Sequence, residues 1–498
     1  MKTAGNPDGP RPPEPQRTDL QRRDHAVFWH PCAQMHDYEA FPPLEVESAR
    51  GSVITLADGS ELIDGISSWW CKSLGHRHPG VAAAVAAQAQ RYEHVITANT
   101  TNPAIVSLCE RVLAACNGHP PAPGAGSNAS WGPDAPPGKH AGHFGRCFFA
   151  DNGSTGVEVA LKMALQAQQQ RGQTGRTKLA SLGNGYHGET AGAMSVSDLD
   201  LYVSPHGPLM VPVTKLPAPE PRTGPGDPRW LDASAEWPAV EAALDAEADA
   251  LAAIIYEPVL QAAGGMRLYS PDLLSRLRRW ADANAVYLIA DEIAAGFGRL
   301  GPMLASHLAP PARENSCFAE PDFAVLSKGL TGGYGPMSVV VTTDAVYDLF
   351  YAPYATGRAF LHSNTFAGHA LGVAAAHAAL DAYATEGVRE NVEAVGGRMH
   401  ERLVAAAAER RTLANVRRLG MVAACELRRP DGPPGGPLDP ADRTGYAVYR
   451  AAVRGGVLLR PLGDTMYLFP PLNTPAEVAD RLVDTLLAAV DAVLPPSA

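Results

Sequence analysis

Between residues 146 and 343 the chain alternates short apolar runs with longer segments of helical period. The runs are "RCFFA" (146–150), "TKLASL" (177–182), "AAIIYEP" (252–258), "VYLIADE" (286–292), "FAVLS" (323–327) and "SVVVTT" (338–343). Their length and apolar or β-branched content predict strands. Between them, "GVEVALKMALQAQQQRG" (156–172) and "SPDLLSRLRRWADANA" (270–285) predict helices, the second capped by Ser270 with Pro271 at its first position. Strands alternating with helices predict an α/β fold with a largely parallel sheet covered on both faces. After about residue 386 the pattern becomes α+β, which predicts a smaller C-terminal unit.

Two Pro/Gly-rich segments, 118–143 and 218–234, carry no hydrophobic period and read as surface insertions or loops. The start, "MKTAGNPDGPRPPEPQRTDLQRRD", is Pro-rich and charged and reads as a disordered lead over 1–24. With 498 residues the chain has room for two domains. A formal net charge of −11 argues against nucleic-acid or anionic-membrane partners, and no run of eighteen apolar residues predicts a spanning helix. Seven scattered cysteines without a CxxC pair fit free thiols in a reducing compartment, hence a cytoplasmic protein. Nothing in the spacing predicts a metal site.

Open parallel sheets bind ligands beyond the carboxyl ends of their strands, and three motifs fall there. In "FFADNGSTGVEVALKMAL" a strand enters a turn in which Gly153, Ser154 and Thr155 offer N–H groups and hydroxyls at a helix N-terminus. That is either a phosphate cradle or an ordinary cap. In "VYLIADEIAAGFGR" an apolar run ends in Asp291, which needs a partner: a protonated ring nitrogen, or Arg299 in a structural ion pair. In "LSKGLTGGY" the next strand runs into Lys328, costly at such a mouth unless solvated, paired or used. A lysine, an aspartate and a phosphate cradle on one sheet edge meet the needs of pyridoxal 5′-phosphate (PLP): an amine for its aldehyde, a carboxylate for its pyridine nitrogen, a site for its phosphate. Tyr186 in "NGYHGET" could fix the ring plane or simply pack its loop. No GxGxxG or GxxxxGK[ST] stands in the right context, which weakens a nucleotide-binding reading of the same sheet. A PLP-binding scaffold without catalysis is the other rival.

The segments "YEPVLQAAGGMRLYSPDLL", "LIADEIAAGFGRLG" and "LSKGLTGGYGPMS" resemble class-III, ω-type aminotransferases of PLP fold type I. Within that class, "VFWHPCAQM", "LIDGISSWW", "GHRHP", "FLHSNTFAGHALGVAAA" and "GVLLRPLGDTMYLFPPL" are similar to the diaminopelargonic acid aminotransferase family of biotin synthesis. The resemblance spans about residues 25–490 and implies conversion of 8-amino-7-oxononanoate to 7,8-diaminononanoate by two half-reactions, with S-adenosylmethionine as amino donor. Lysine as donor, or another class-III transaminase acting on ω-amino acids or diamines, is the alternative.

The resemblance also implies roles. Lys328 would be the Schiff-base lysine that moves the proton, Asp291 the pyridinium partner and Tyr186 the ring cover, with Gly153 and Ser154 on the phosphate. In a homodimer Asn364 and Thr365 would complete the neighbour's phosphate site, with Ser363 near the substrate. Trp69 and Trp70 would wall the aliphatic chain, and Arg460 would grip the distal carboxylate. Plainer readings exist: core packing for the tryptophans and a surface or interdomain charge for Arg460. Glu257, before Pro258, reads as an active-site carboxylate or a strand-end ion pair, and His187 beside Tyr186 as structural rather than catalytic. Two positions depart from the family: Cys32 stands where many members have tyrosine, and Leu74 where many have histidine, both expected on the substrate side. The implied domains are 25–66 and 386–498, forming the small domain, and 67–385, the large PLP-binding domain.

Overall fold

All six apolar runs join one sheet in the computed structural model, which describes residues 17–118, 143–314, 316, 318–429 and 438–495. Its strands are β1 (Arg146–Ala150), β2 (Lys178–Leu182), β3 (Val213–Leu216), β4 (Leu251–Tyr256), β5 (Tyr287–Asp291), β6 (Phe323–Leu326) and β7 (Ser338–Thr342). They lie in the order β1–β7–β6–β5–β4–β2–β3. Only β7 opposes its neighbours; the other pairs are parallel. The edge strand β3 escaped the sequence reading, because "VTKL" is short and carries a polar lysine.

Every residue of β4, β5, β6 and β7 is buried, because helices cover both faces. On one face α1 (Gly153–Gln170) packs Val157, Ala160 and Ala164 against Ile255, Ile289, Val325 and Val340. On the other, α2 (Asp272–Asn284) and α3 (Ala370–Thr385) meet Ile254, Leu288, Ala324 and Val339, the alternate positions of the same strands. Ser270 Oγ accepts the Asp272 N–H at 3.3 Å, so α2 opens one residue later than the sequence predicts.

Strands from the two ends of the chain form a second body. Val46–Arg50, Val53–Leu56 and Glu61–Asp64 are antiparallel, and Glu61–Asp64 pairs in parallel with Val457–Leu458, Ile63 lying opposite Val457. Leu413–Leu419, Val422–Leu427 and Thr465–Leu468 make a separate antiparallel sheet beside the helix Val388–Glu409.

Two expectations change. Residues 17–24 of the lead are ordered: a helix over Asp19–Val27 is closed by a capping box, with Thr18 Oγ accepting the Gln21 N–H and Gln21 Oε1 accepting the Thr18 N–H, each at 3.1 Å. Residues 1–16 lie outside the described residues, as do 119–142 of the first Pro/Gly segment. The segment 218–234 contains no helix or strand, yet it is not simply superficial. Arg222 and Trp230 are buried, and the Arg222 guanidinium donates to the carbonyls of Arg229 and Asp232, both at 3.0 Å. No helix among the described residues is long and apolar enough to cross a membrane, and their six cysteines are unpaired.

Candidate active site

Strand register brings the chemistry together. Ala290 lies opposite Tyr256 and Asp291 opposite Val325, so Glu257, Asp291 and Lys328 leave the carboxyl ends of three neighbouring parallel strands. β1 runs in the same direction, which opens the Gly153–Ser154 turn at that edge; β2 leads into the loop of Tyr186.

Lys328 stands at φ 40°, in the left-handed region. Its Nζ sits 5.2 Å from the centroid of the Trp70 ring, and no hydrogen bond or ion pair holds it among the described residues. Burial lowers the pKa of its amine, opposed by the charges of Asp291 and Glu257. Asp291 is 4% exposed; its Oδ2 accepts from His187 Nδ1 at 2.8 Å and its Oδ1 from the Ile293 N–H at 3.1 Å. The Asp291–Arg299 pair is not formed: Arg299 donates to the Pro470 carbonyl at 2.6 Å and lies 3.9 Å over the Phe469 ring. His187 thus backs Asp291, while its Nε2 is buried without a partner.

Among the described residues Glu257 makes no strand-end ion pair. It accepts the N–H groups of Tyr186 (3.0 Å) and Ala262 (3.1 Å), tying the Tyr186 loop to β4. Burial, then the charge of Asp291, pushes its carboxyl up to about 8. The Tyr186 hydroxyl donates to Glu189 at 3.0 Å, and its ring lies 5.4 Å from that of Tyr202.

At the head of α1, Asn152 and Thr155 form a capping box that takes the Thr155 N–H, leaving those of Gly153 and Ser154 uncapped. The Tyr186 loop closes against this turn. Gly188 has φ 122°, and a Cβ there would lie 2.1 Å from Ser154 Oγ. Only glycine lets the two backbones approach so closely.

The mouth facing Lys328 draws on both ends of the chain. Arg460 lies 4.3 Å over the Trp69 ring and donates to the Cys32 carbonyl at 2.6 Å. Cys32 Sγ is 3.7 Å from the Tyr202 hydroxyl. The structure therefore links Trp69, Arg460, Cys32 and Tyr202 in one chain of contacts, and sets Trp70, the neighbour of Trp69, beside Lys328. Leu74 is different: it is 1% exposed and belongs to the apolar core, next to Gly332 at the end of the Lys328 turn. Ser363, Asn364 and Thr365 lie elsewhere, on a segment along α1 where His362 meets Lys162 at 2.9 Å. Ser363 and Thr365 are exposed, and Asn364 Oδ1 is buried without a partner.

Sequence reasoning missed Asp64, His76, Glu189 and Tyr202. Asp64, His76 and Glu189 stood inside the segments "LIDGISSWW", "GHRHP" and "NGYHGET" without being singled out, and Tyr202 left no trace.

The sequence profile of the class-III aminotransferases matches residues 34–490. The chain belongs to the class-III aminotransferases. It is 34% identical over 477 residues to the adenosylmethionine-8-amino-7-oxononanoate aminotransferase of Helicobacter pylori, covering 95% of this chain and 98% of that one. It is 38% identical over 458 residues to the protein of the same name from Synechococcus elongatus, covering 92% and 96%. Among solved structures, an amine transaminase from an uncultivated Pseudomonas species, in its PLP-bound form, superposes with a TM-score of 0.79 at 32% identity, over 93% and 98% of the two chains. This class-III aminotransferase is accordingly a PLP-dependent transaminase of fold type I.

The residues present fit that cofactor. A half-buried amine without a partner among the described residues, a buried carboxylate braced by a histidine, and two uncapped N–H groups at a helix start share one sheet edge. These are donors and acceptors for an aldehyde, a ring nitrogen and a phosphate respectively.

Proposed function

We propose that this class-III aminotransferase converts 8-amino-7-oxononanoate to 7,8-diaminononanoate in biotin synthesis, with S-adenosylmethionine as amino donor. The observation that carries the proposal is the near end-to-end match to relatives that bear this activity in their names. The mouth supports it: two tryptophans and an arginine suit a long aliphatic chain that ends in a carboxylate.

PLP, when bound, takes up the electrons released at the substrate carbon. The chain's own residues do the rest. Lys328 Nζ takes the proton from that carbon and returns it, and the lowered pKa leaves its amine free to act as a base. Asp291, steadied by His187, would hold a proton at the ring nitrogen. The Gly153 and Ser154 N–H groups, uncapped at the helix start, would hold the phosphate, and Tyr186 would cover the ring. Trp69 and Trp70 exclude water along the aliphatic chain, and Arg460 orients the far carboxylate. Cys32 borders the same space. A second subunit supplies Asn364 and Thr365 to the phosphate site and Ser363 to the substrate side, in a cytoplasmic homodimer. Residues 67–385 serve as the large domain, with 25–66 and 386–498 as the small one.

The test is turnover of 8-amino-7-oxononanoate by purified enzyme with S-adenosylmethionine or lysine. Product with S-adenosylmethionine is expected. Product with lysine alone changes the donor, and none with either overturns the reading.

A further inference from the structure

Residues Ser67 to Trp70 have φ values of 49°, 44°, 70° and 71°, four successive non-glycine residues in the left-handed region. L-residues visit that region singly, and a run of them persists only where its surroundings enforce it. The enforcing group is Asp64, which is fully buried. Its Oδ1 accepts the N–H groups of Ile66 (3.2 Å) and Ser68 (3.0 Å). Its Oδ2 accepts from the Ser68 hydroxyl (2.7 Å) and from His76 Nε2 (2.9 Å). His76 is itself anchored by paired backbone hydrogen bonds with Gly51. Ser67 Oγ donates to the Phe469 carbonyl at 2.7 Å.

The turn does more than pack a core. Trp70 is buried, held by its Nε1 on the Tyr467 hydroxyl at 3.1 Å, and turns a ring face to Lys328. Trp69, in contrast, is 40% exposed and turns its ring to Arg460. Stability alone gives no reason to strain four residues so that a large aromatic stands in solvent.

We propose that Asp64, with His76 behind it, is the positioning residue of the acceptor side: its carboxylate sets the left-handed turn that holds Trp69 and Trp70 against Arg460 and Lys328, and so places a long-chain keto acid. The proposal rests on the reading of the acceptor given above. Asp64 touches no substrate; it acts through the two rings. Removing its charge leaves the Ser68 hydroxyl and His76 Nε2 without their acceptor, and the turn relaxes toward the right-handed or extended region. Both indole planes then rotate away from their cations.

The experiment compares Asp64→Asn with the wild type, as full chains, by three readouts. The first is the near-ultraviolet circular dichroism of the tryptophans in cofactor-free protein, expected to change. The second is steady-state kinetics of the holoenzyme: KM for the keto acid is expected to rise about tenfold, with kcat and the donor KM within about threefold. The third is the thermal midpoint, which controls for folding. An unchanged keto-acid KM overturns the proposal, as does a parallel rise in both KM values that tracks a lowered midpoint. Should Asp64→Asn fail to fold, Ser68→Ala removes one of the four bonds and must raise the keto-acid KM selectively. If the wild type does not use 8-amino-7-oxononanoate, the proposed substrate falls; the same comparison is then run with the acceptor it does use. The dichroism of the cofactor-free protein tests the turn in either case.

Discussion

Replacing Arg460 by alanine separates the substrate role of this side chain from a merely structural one. Its guanidinium spends one Nη2 bond on the Cys32 carbonyl and one face on Trp69, and among the described residues its other N–H groups make no protein hydrogen bond. A planar fork with free donors beside an aromatic wall suits a carboxylate. A hydrogen bond to a charged group is worth about 1.5–3 kcal/mol, or about 10- to 150-fold in affinity. The ring contact adds about 0.5–1 kcal/mol at a half-exposed site, felt as stability rather than substrate binding. Arg460→Ala should therefore raise the keto-acid KM by about 10- to 150-fold, with kcat nearly unchanged, because the lost contact is equal in ground and transition states. The donor should suffer less: its carboxylate sits on the reacting carbon itself, and one fixed guanidinium cannot serve both distances from Lys328. Initial rates of diamine formation, with each substrate varied in turn, give the numbers. The methyl ester of the keto acid closes the cycle. It should bind more weakly than the acid to wild type, and equally to Arg460→Ala. A donor KM that rises as much as the acceptor KM, or an ester penalty that survives the mutation, would refute the assignment.

Other consequences are equally direct. Lys328→Ala should abolish turnover while leaving the fold intact by circular dichroism; normal steady-state activity would remove the lysine from the mechanism. Gly188→Ala forces a Cβ to within 2.1 Å of Ser154 Oγ from a backbone at φ 122°. The turn at α1 must shift, and PLP retention through gel filtration should fall sharply; full retention would show that the turn tolerates the displacement. For Glu257, raised from an ordinary 4.5 to about 8 by burial, the folded state binds the extra proton. Its contribution to stability is complete below about pH 4.5 and is lost as pH rises through about 8, a span worth up to about 4–5 kcal/mol at 1.36 kcal/mol per unit. Denaturation midpoints of the cofactor-free protein should fall over that window and flatten in Glu257→Gln; identical slopes would discard the carboxyl as the source.

The large sheet was legible because its strands are buried on both faces, so their sequences are continuous apolar runs. The same logic exposed Asp291 and Lys328, polar residues where such runs end. Edge and small-domain strands were not legible: "VTKL" is half-exposed and "VESAR" largely exposed, so their residues need not be apolar. The left-handed turn was hidden for another reason. Positive φ is signalled by glycine or asparagine, and "SSWW" holds neither. What enforces the turn is Asp64, whose bonds to Ser68 and His76 exist only in three dimensions. Likewise Pro/Gly composition masked the buried Arg222 and Trp230, since two anchors in a seventeen-residue segment barely alter its average.

The parallel pairing of Glu61–Asp64 with Val457–Leu458 has a bearing on how the protein is made. The mouth likewise joins Cys32 to Arg460, 428 positions later. A ribosome adding about 5–20 residues per second takes roughly 20–90 s to cover that interval. Throughout it, one side of the early hairpin keeps unpaired N–H and C=O groups, a template for strands of neighbouring nascent chains. The large sheet can form while the hairpin waits. A chain stalled before residue 457 would carry Lys328 and Asp291 on a finished sheet, with no closed wall against which a substrate could lie.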